Sequence, residues 1–320
     1  MSTRVSNLAS NRLIQSTILR TQDRILDRQL QISTLQKSQD YAGIADSANQ
    51  LVGMEASRRK IEQYLTEGTN VKLRMDTMLN SLDSLKTTLK DVEGMVRDML
   101  DDGALPDGVD KNEFANTKIA EIEDFLNVKV AGRFLFSGSL TETKPVDIPD
   151  MVEVADEPAN VATTPGEYAT QAEPSLYYQG DNTKLKARLS EGLDVQYGVT
   201  ADDPAFEKLV RAVRLVKTVK LDDPDIKAKM QEAATLLGEA KTGLESLELN
   251  VGTKLEQLDR TQTTLKNSKN FMDGVVSDLE SADTTTAVSE LTQDQTMLEA
   301  SYNVVVRLSN MSLIKFMGVT

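Results

Sequence analysis

Two short motifs in the sequence carry residue types that serve nucleophilic catalysis in serine enzymes. Residues 57–60 read Ser-Arg-Arg-Lys and match S-x-x-K, and residues 241–243 read Lys-Thr-Gly and match K-T-G, which penicillin-recognising serine enzymes use together. The second motif must edge a strand beside the nucleophile. Here it falls between Leu237 and Leu244, inside a seven-residue apolar repeat that indicates a helix. We therefore predict that both matches are coincidental and that the chain is not an enzyme.

The amino-acid composition removes most of the remaining catalytic and metal-binding chemistry. The chain has no cysteine and no histidine, so it lacks thiolate nucleophiles, the commonest zinc ligands and the usual proton shuttle at neutral pH. The acidic cluster from Asp107 to Glu113 suggests calcium, but an EF-hand loop that begins at Asp102 would place Asp107 where glycine is required. The sequence contains no glycine-rich phosphate loop. We predict neither a metal nor a cofactor.

The charge and hydropathy patterns narrow the classes of partner. With 36 basic and 50 acidic residues the net charge is -14, which opposes binding to nucleic acid or to anionic lipid. The longest apolar candidate, residues 304–317, is interrupted by Arg307 and Lys315, so we do not expect it to cross a bilayer. The first residues lack a basic segment followed by an apolar block, so we expect no cleavable secretory signal.

Two heptad repeats dominate the sequence and predict two long helices. Apolar side chains recur at alternating three- and four-residue steps over residues 54–99, and at seven-residue intervals over residues 230–279. The blocks have nearly equal length, so we expect the helices to lie side by side and bury each other's seams. A shorter helix is predicted between them, and its buried face is Ile119, Ile122, Leu126 and Val130.

The character of the sequence changes at Gly132. Five of the eight prolines fall between positions 145 and 174, which excludes helix there. Alternating runs at 185–189 and 195–199, joined through Ser190-Glu-Gly192, predict a β-hairpin. We therefore predict a small β-rich insert at 132–201 and a helix that begins at Pro204.

Both ends of the chain carry helical apolar stripes, which we predict to be an assembly interface. Residues 1–38 contain six basic and two acidic residues; their charge of +4 indicates either contact with an acidic surface or a solvated helix face. Glutamines repeat every seven residues from Gln15 to Gln36, either exposed to solvent or packed against neighbouring copies. The stripes themselves are either exposed or paired with each other. The predicted interface residues are Ile14, Ile18, Ile25, Ile32, Leu291, Leu298, Tyr302, Val305, Leu308 and Phe316.

These elements define the expected architecture. The predicted fold class is mainly α, a long antiparallel coiled-coil helical bundle with a small β-rich inserted outer domain. We expect residues 1–38 and 289–320 to form an inner assembly domain of terminal helices. Residues 39–131 and 202–288 are expected to form a helical-rod domain, and residues 132–201 the outer insert.

Several segments resemble the bacterial flagellin family. Asp40-Tyr-Ala-Gly-Ile-Ala-Asp46 is similar to the segment that follows the first helix in that family, and Gly132-Arg-Phe-Leu-Phe-Ser-Gly138 resembles its turn into the outer domain. Segments 278–283, 290–302 and 308–316 resemble the hook-associated branch of the family, because Glu299-Ala-Ser-Tyr302 and Ser312-Leu-Ile-Lys-Phe316 replace the usual Gln-Ala-Asn stretch and leucine-rich end of filament flagellins. The stretch 151–174 resembles no segment of the family.

The resemblance implies a structural subunit of the bacterial flagellum, exported unfolded through the flagellar channel to the outside of the cell. It implies an adaptor at the hook-filament junction. Its expected partners are other copies of itself, an adjacent hook-associated protein, flagellin and an export chaperone. A filament subunit is the alternative. An injectisome needle-tip or translocator protein is a third hypothesis, but such proteins usually carry an apolar membrane hairpin, which we do not find in the sequence.

Overall fold

A computed structural model of the chain describes residues 2–40, 45–102, 105, 108–148, 177–219, 224 and 226–317. Within these residues the chain forms six helices and four short strands, so the predicted mainly helical fold with a small β component is confirmed. The helices are α1 (Ser2–Thr34), α2 (Ala45–Asp102), α3 (Lys111–Leu126), α4 (Pro204–Thr218), α5 (Ile226–Glu280) and α6 (Thr284–Met317). The strands are β1 (Lys129–Val130), β2 (Arg133–Phe134), β3 (Lys186–Ser190) and β4 (Leu193–Gln196).

The two heptad repeats form the two longest helices, as predicted. Helix α2 has 58 residues and α5 has 55. Lys72 pairs with Asp259 and Lys86 with Glu248, both at 2.6 Å. Because partner numbers fall on α5 as they rise on α2, the helices are antiparallel. The fully buried seam side chains of the two helices include Val71, Met75, Met78, Leu82, Leu85, Met230, Leu237, Leu244 and Leu258.

The chain divides into two compact units. We call residues 1–60 with 268–320 the terminal unit, and residues 61–267 the central unit. Helices α2 and α5 each contribute residues to both units. The apolar residues at seven-residue intervals on α5 are buried from Met230 to Leu258, whereas Leu265, Met272 and Leu279 are half-buried. This change follows the sequence, because polar residues replace apolar ones at the companion positions there.

The insert shares its core with the helices of the central unit. Strands β3 and β4 form an antiparallel hairpin with Ala187 opposite Val195, which confirms the predicted hairpin. Both side chains belong to the same buried cluster as Leu82 of α2. Phe136 packs edge-on against Phe206 of α4, with ring centroids 6.2 Å apart. The proline-rich stretch 149–176 lies outside the described residues.

Local capping residues explain where the shorter helices begin. Asp110 Oδ1 accepts a hydrogen bond from Asn112 N at 2.8 Å and caps α3, while Asp203 Oδ1 accepts one from Ala205 N at 3.0 Å and caps α4 ahead of Pro204. The prediction that Val130 extends the α3 face was wrong. Helix α3 ends at Leu126, and Val130 lies in β1, where the chain turns back toward β2.

Candidate assembly site

The first and last helices of the chain pack against each other within the terminal unit. Gln22 Nε2 donates to the hydroxyl of Tyr302 at 3.0 Å, and Arg28 Nη2 pairs with Glu290 Oε2 at 2.5 Å. Partner numbers fall on α6 as they rise on α1, so this pair is antiparallel too. Of the two arrangements that the sequence left open, exposure or mutual pairing, the structure has mutual pairing.

A polar layer joins α1 and α6 about ten residues from the end of α1 and from the start of α6. Arg24 donates from Nη2 and Nε to Asp294 Oδ1 at 2.7 and 3.1 Å, and from Nη2 to Thr21 Oγ1 at 3.3 Å. Thr21 is fully buried and Asp294 is 7% exposed. The hydrogen bond to the Asp294 side chain raises the pKa of Arg24 above its ordinary value. A carboxylate this buried is stable only beside its partner, so the pair favours one alignment of the two helices.

The connectors at the base of this helix pair lie side by side. We call Leu35–Lys37, which follows α1, and Glu280–Ala282, which precedes α6, the clasp. Lys37 N donates to Glu280 O at 2.6 Å and Ala282 N donates to Leu35 O at 2.9 Å. Gln36 and Ser281 face each other as an antiparallel bridge between these bonds. The clasp therefore ties the end of α1 to the start of α6.

Lys37 also completes the end of α5. Its Nζ donates to the carbonyl oxygens of Asp278 and Leu279 at 2.9 and 3.0 Å. These are carbonyls of the last helical turn, which lack partners inside the helix and favour a positive charge. Leu35 adopts a φ of 60°, in the left-handed region that usually takes glycine at the end of a helix. The backbone of the clasp is thus bent sharply where α1 ends.

Asp283 begins helix α6. Its Oδ1 accepts hydrogen bonds from Thr285 N at 3.0 Å and Thr286 N at 3.2 Å, and its Oδ2 accepts one from Thr286 Oγ1 at 2.8 Å. The pKa of Asp283 is lowered, chiefly by the Thr286 hydroxyl and then by the two backbone donors. The carboxylate therefore stabilises the helix start in its ionised form.

The structure brings most of the predicted interface residues to the inside of this helix pair. The predicted residues that are half-buried are Ile14, Ile18, Ile25, Ile32, Leu291, Leu298 and Leu308. Tyr302 and Val305 are exposed, although the Tyr302 hydroxyl accepts the hydrogen bond from Gln22. Phe316 belongs to α6, but its side chain lies outside the part that the structure describes. Their role in assembly stays a prediction.

Sequence reasoning missed an outward leucine face on α1. Leu19, Leu26 and Leu30 are 61%, 57% and 47% exposed. At about 100° per residue they lie on the side of the helix away from the isoleucine stripe. Their seven- and four-residue spacing is visible in the sequence. The isoleucine stripe masked it, because a helix with apolar residues on two sides gives no single amphipathic direction.

The described part of the chain places both serine-enzyme motifs in helices. Within it, no helix is long and apolar enough to cross a membrane, and no cluster of three or more acidic side chains could hold a metal ion. Ser57 lies in α2 and donates its hydroxyl to Gly53 O at 2.9 Å. Thr242 of the K-T-G match lies in α5 rather than on a strand.

Residues 234–317, which cover most of α5 and all of α6, match the family model of the bacterial flagellin C-terminal helical region. This part of the chain is similar to the C-terminal region of flagellin. The flagellin region supplies Asp294, Leu298 and Tyr302, and hence one half of the α1–α6 pair. It also supplies the Glu280–Ala282 side of the clasp.

Solved structures are similar to this chain. One, described as a flagellar hook-associated protein from Vibrio parahaemolyticus, has a TM-score of 0.54 at 16% identity, covering 72% of this chain and 96% of that chain. Two others have a TM-score of 0.44 at 13% identity: FlgL from Bacillus cereus and hook-associated protein-3 from Legionella pneumophila. The matched regions cover 73% and 75% of this chain, respectively, and 99% of each of those chains. No curated protein matches the sequence.

Proposed function

We propose that this chain is a structural subunit of the bacterial flagellum that acts as an adaptor between hook and filament. Three observations support the proposal. The flagellin C-terminal region occupies 234–317, the helical fold is shared with a structure described as a hook-associated protein, and the terminal segments resemble that branch of the family. A filament subunit is the second candidate, because the flagellin C-terminal region is equally consistent with it.

The observation that carries the assembly role is the outward leucine face of Leu19, Leu26 and Leu30. A row of large apolar side chains on a helix that is already paired marks a surface that a partner covers. Exposed apolar residues on α6, among them Val304 and Val306, supply a second and different surface on the same pair. Contact between two different surfaces of identical subunits is heterologous and builds rings or tubes.

The half-buried stripes then have a supporting role in this assembly. Ile25 and Leu298 hold α1 to α6, and the Arg24–Asp294 pair sets their alignment, so the two outward surfaces keep a fixed spacing. Loss of the inner contacts removes assembly indirectly, and loss of the outward leucines removes it directly. The two kinds of variant are therefore distinguishable by whether the isolated chain stays folded.

The proposed location and partners follow from the same role. The chain is exported through the flagellar channel and works outside the cell. It contacts further copies of itself, an adjacent hook-associated protein and flagellin, and an export chaperone escorts it. It performs no catalysis: the S-x-x-K and K-T-G matches both lie on heptad helices, where no strand edge presents the second motif to the first.

A deletion strain complemented with variants tests this proposal. We expect the strain without the chain to shed its filaments into the medium, and the wild-type gene to restore attachment. Leu19→Ser with Leu26→Ser is expected to fail in restoring it. Leu249→Ser is the matched control, because Leu249 is a 73% exposed leucine on α5 in the central unit. Firmly attached filaments in the deletion strain would rule out the junction role.

Labelling separates the adaptor from the filament subunit. A tag on the chain is expected to mark a short zone between hook and filament in electron micrographs. Labelling along whole filaments, with the chain as their dominant protein, would favour the filament subunit instead.

A further inference from the structure

Gly68 of α2 and Gln262 of α5 face each other inside the central unit, in the seam between the two long helices. Gly68 is buried, and a Cβ atom there would lie 2.7 Å from Gln262 Nε2 and 3.3 Å from Leu258 Cδ1. Gln262 is 8% exposed. The glutamine amide therefore occupies the space that the absent side chain of Gly68 leaves open.

The amide nitrogen of Gln262 is buried without a hydrogen bond. Gln262 Nε2 has no partner among the residues that the structure describes. A buried donor that makes no hydrogen bond destabilises the layer that contains it. A glycine within a helix weakens the same layer again, because it has more backbone freedom than any other residue. Both defects fall at one level of the seam.

The neighbouring layers and a second glycine with a close neighbour show how this layer differs from the rest of the central unit. Toward the middle of the central unit the seam is filled by Met75, Met78 and Leu82, all fully buried. Gly243 of α5 also has a close neighbour, but that neighbour is the methyl group of Ala205, 2.6 Å from the position of an added Cβ. Gly243 thus permits close apolar packing, whereas Gly68 accommodates a polar group.

We propose that the Gly68–Gln262 layer is a built-in bending point of the α2–α5 pair. The Lys72–Asp259 ion pair at 2.6 Å holds the helices together one turn away, so the layer yields by local bending while the pair stays closed. Bending at this layer lets water reach the amide and form the missing hydrogen bond. The apolar layers elsewhere in the seam have no such gain, so the helices bend more easily here than there. An apolar side chain in place of Gln262 removes that gain.

Hydrogen exchange on the full chain tests the softness of the layer. Peptides covering 62–70 and 258–266 are expected to exchange about tenfold faster than peptides covering 75–85 and 240–251, since one unmade bond is worth about that factor. Gln262→Leu is expected to remove most of the difference. Gln231→Leu, at an exposed glutamine on the same helix, is the matched control and should change nothing at this layer. Equal protection of all four regions in the wild type would overturn the proposal.

Spin labels test the bending itself. The chain has no cysteine, so Gln63→Cys and Asn80→Cys place labels only at two exposed positions of α2, about 25 Å apart along the helix and on either side of Gly68. The distance distribution is expected to be broad in this variant and to narrow when Gln262→Leu is added. Gly68→Ala with Gln262→Ala provides a second way to remove the defect, and it should narrow the distribution too. A distribution that is narrow from the start, or that neither change alters, would refute a bending point.

Discussion

A covalent link across the clasp tests whether the two connectors of the terminal unit lie together in solution. Gln36 and Ser281 form the non-hydrogen-bonded pair of an antiparallel bridge, because the flanking bonds join Lys37 N to Glu280 O and Ala282 N to Leu35 O. The Cα atoms of such a pair lie about 4.5 Å apart, within the range that a disulfide spans. Since the chain has no cysteine, Gln36→Cys with Ser281→Cys can form a single intramolecular bond.

The size of the effect follows from the length of chain that the bond closes. A disulfide here closes a loop of about 245 residues, for which chain entropy gives an upper limit of about 5 kcal/mol at 25 °C. Engineered disulfides usually deliver less, so we expect a gain of about 2–4 kcal/mol in the free energy of unfolding. Urea unfolding followed by circular dichroism, with and without reductant, measures this gain. Non-reducing electrophoresis measures how much of the bond forms.

A displaced cysteine pair provides the control for this experiment. Gln29 lies on α1 about 10 Å before Gln36, so Gln29→Cys with Ser281→Cys should not oxidise readily. The reasoning fails if the Gln36 and Ser281 pair does not oxidise under mild conditions, or if both pairs oxidise equally well. Either result means that Leu35–Lys37 and Glu280–Ala282 are not held beside each other.

Three further predictions concern single side chains. Leu298→Asp places a charge on the half-buried side of α6, so we expect α1 and α6 to separate and sedimentable assemblies to be lost. Normal assembly of this variant would contradict the contact of Leu298 with α1. The pKa of Asp283 is lowered in the folded chain, so its ionised carboxylate stabilises the folded state fully at neutral pH. This contribution is lost as the pH falls below the ordinary pKa of 3.8 and through the lowered pKa of the folded chain. The stability gap between wild type and Asp283→Ala should therefore shrink in acid, and a constant gap would count against the cap. Gly138→Ala should destabilise the central unit strongly, because the φ of Gly138 is 71° and the new Cβ would lie 2.1 Å from Asp181 O. Gly94 has open space around the position of a new Cβ, so Gly94→Ala should stabilise α2 by about 0.5–1 kcal/mol. Thermal melts measure both changes.

Periodicity in the sequence was enough to predict the long helices. The seven-residue spacing of Met230, Leu237 and Leu244 leaves one apolar stripe per helix, and only burial against another stripe satisfies it. The same reasoning failed at Val130. That residue has the right spacing to continue the α3 stripe, but the chain leaves the helix at Asn127 and turns through Ala131 and Gly132, which both have positive φ.

The candidate site could be predicted only in part. The apolar stripes containing Ile25 and Leu298 could be found from their spacing, but their spacing could not say whether they meet each other or a second molecule. The polar partners were also out of reach. Arg24 and Asp294 are 270 positions apart, and nothing local in the sequence marks these two charged residues as an ion pair.

The sequence by itself determined the class of this protein. It dictates long helices because apolar side chains recur at the helical period, and it removes most catalytic and metal chemistry because cysteine and histidine are absent. Only the tertiary structure decided which apolar face is used inside the chain and which stays exposed. The isoleucines of α1 turn toward α6, and Leu19, Leu26 and Leu30 turn outward. Both faces have similar apolar character, so burial alone does not choose between them. The choice depends on polar contacts such as Arg24–Asp294 and on the clasp, which exist only once residues far apart in the chain are brought together.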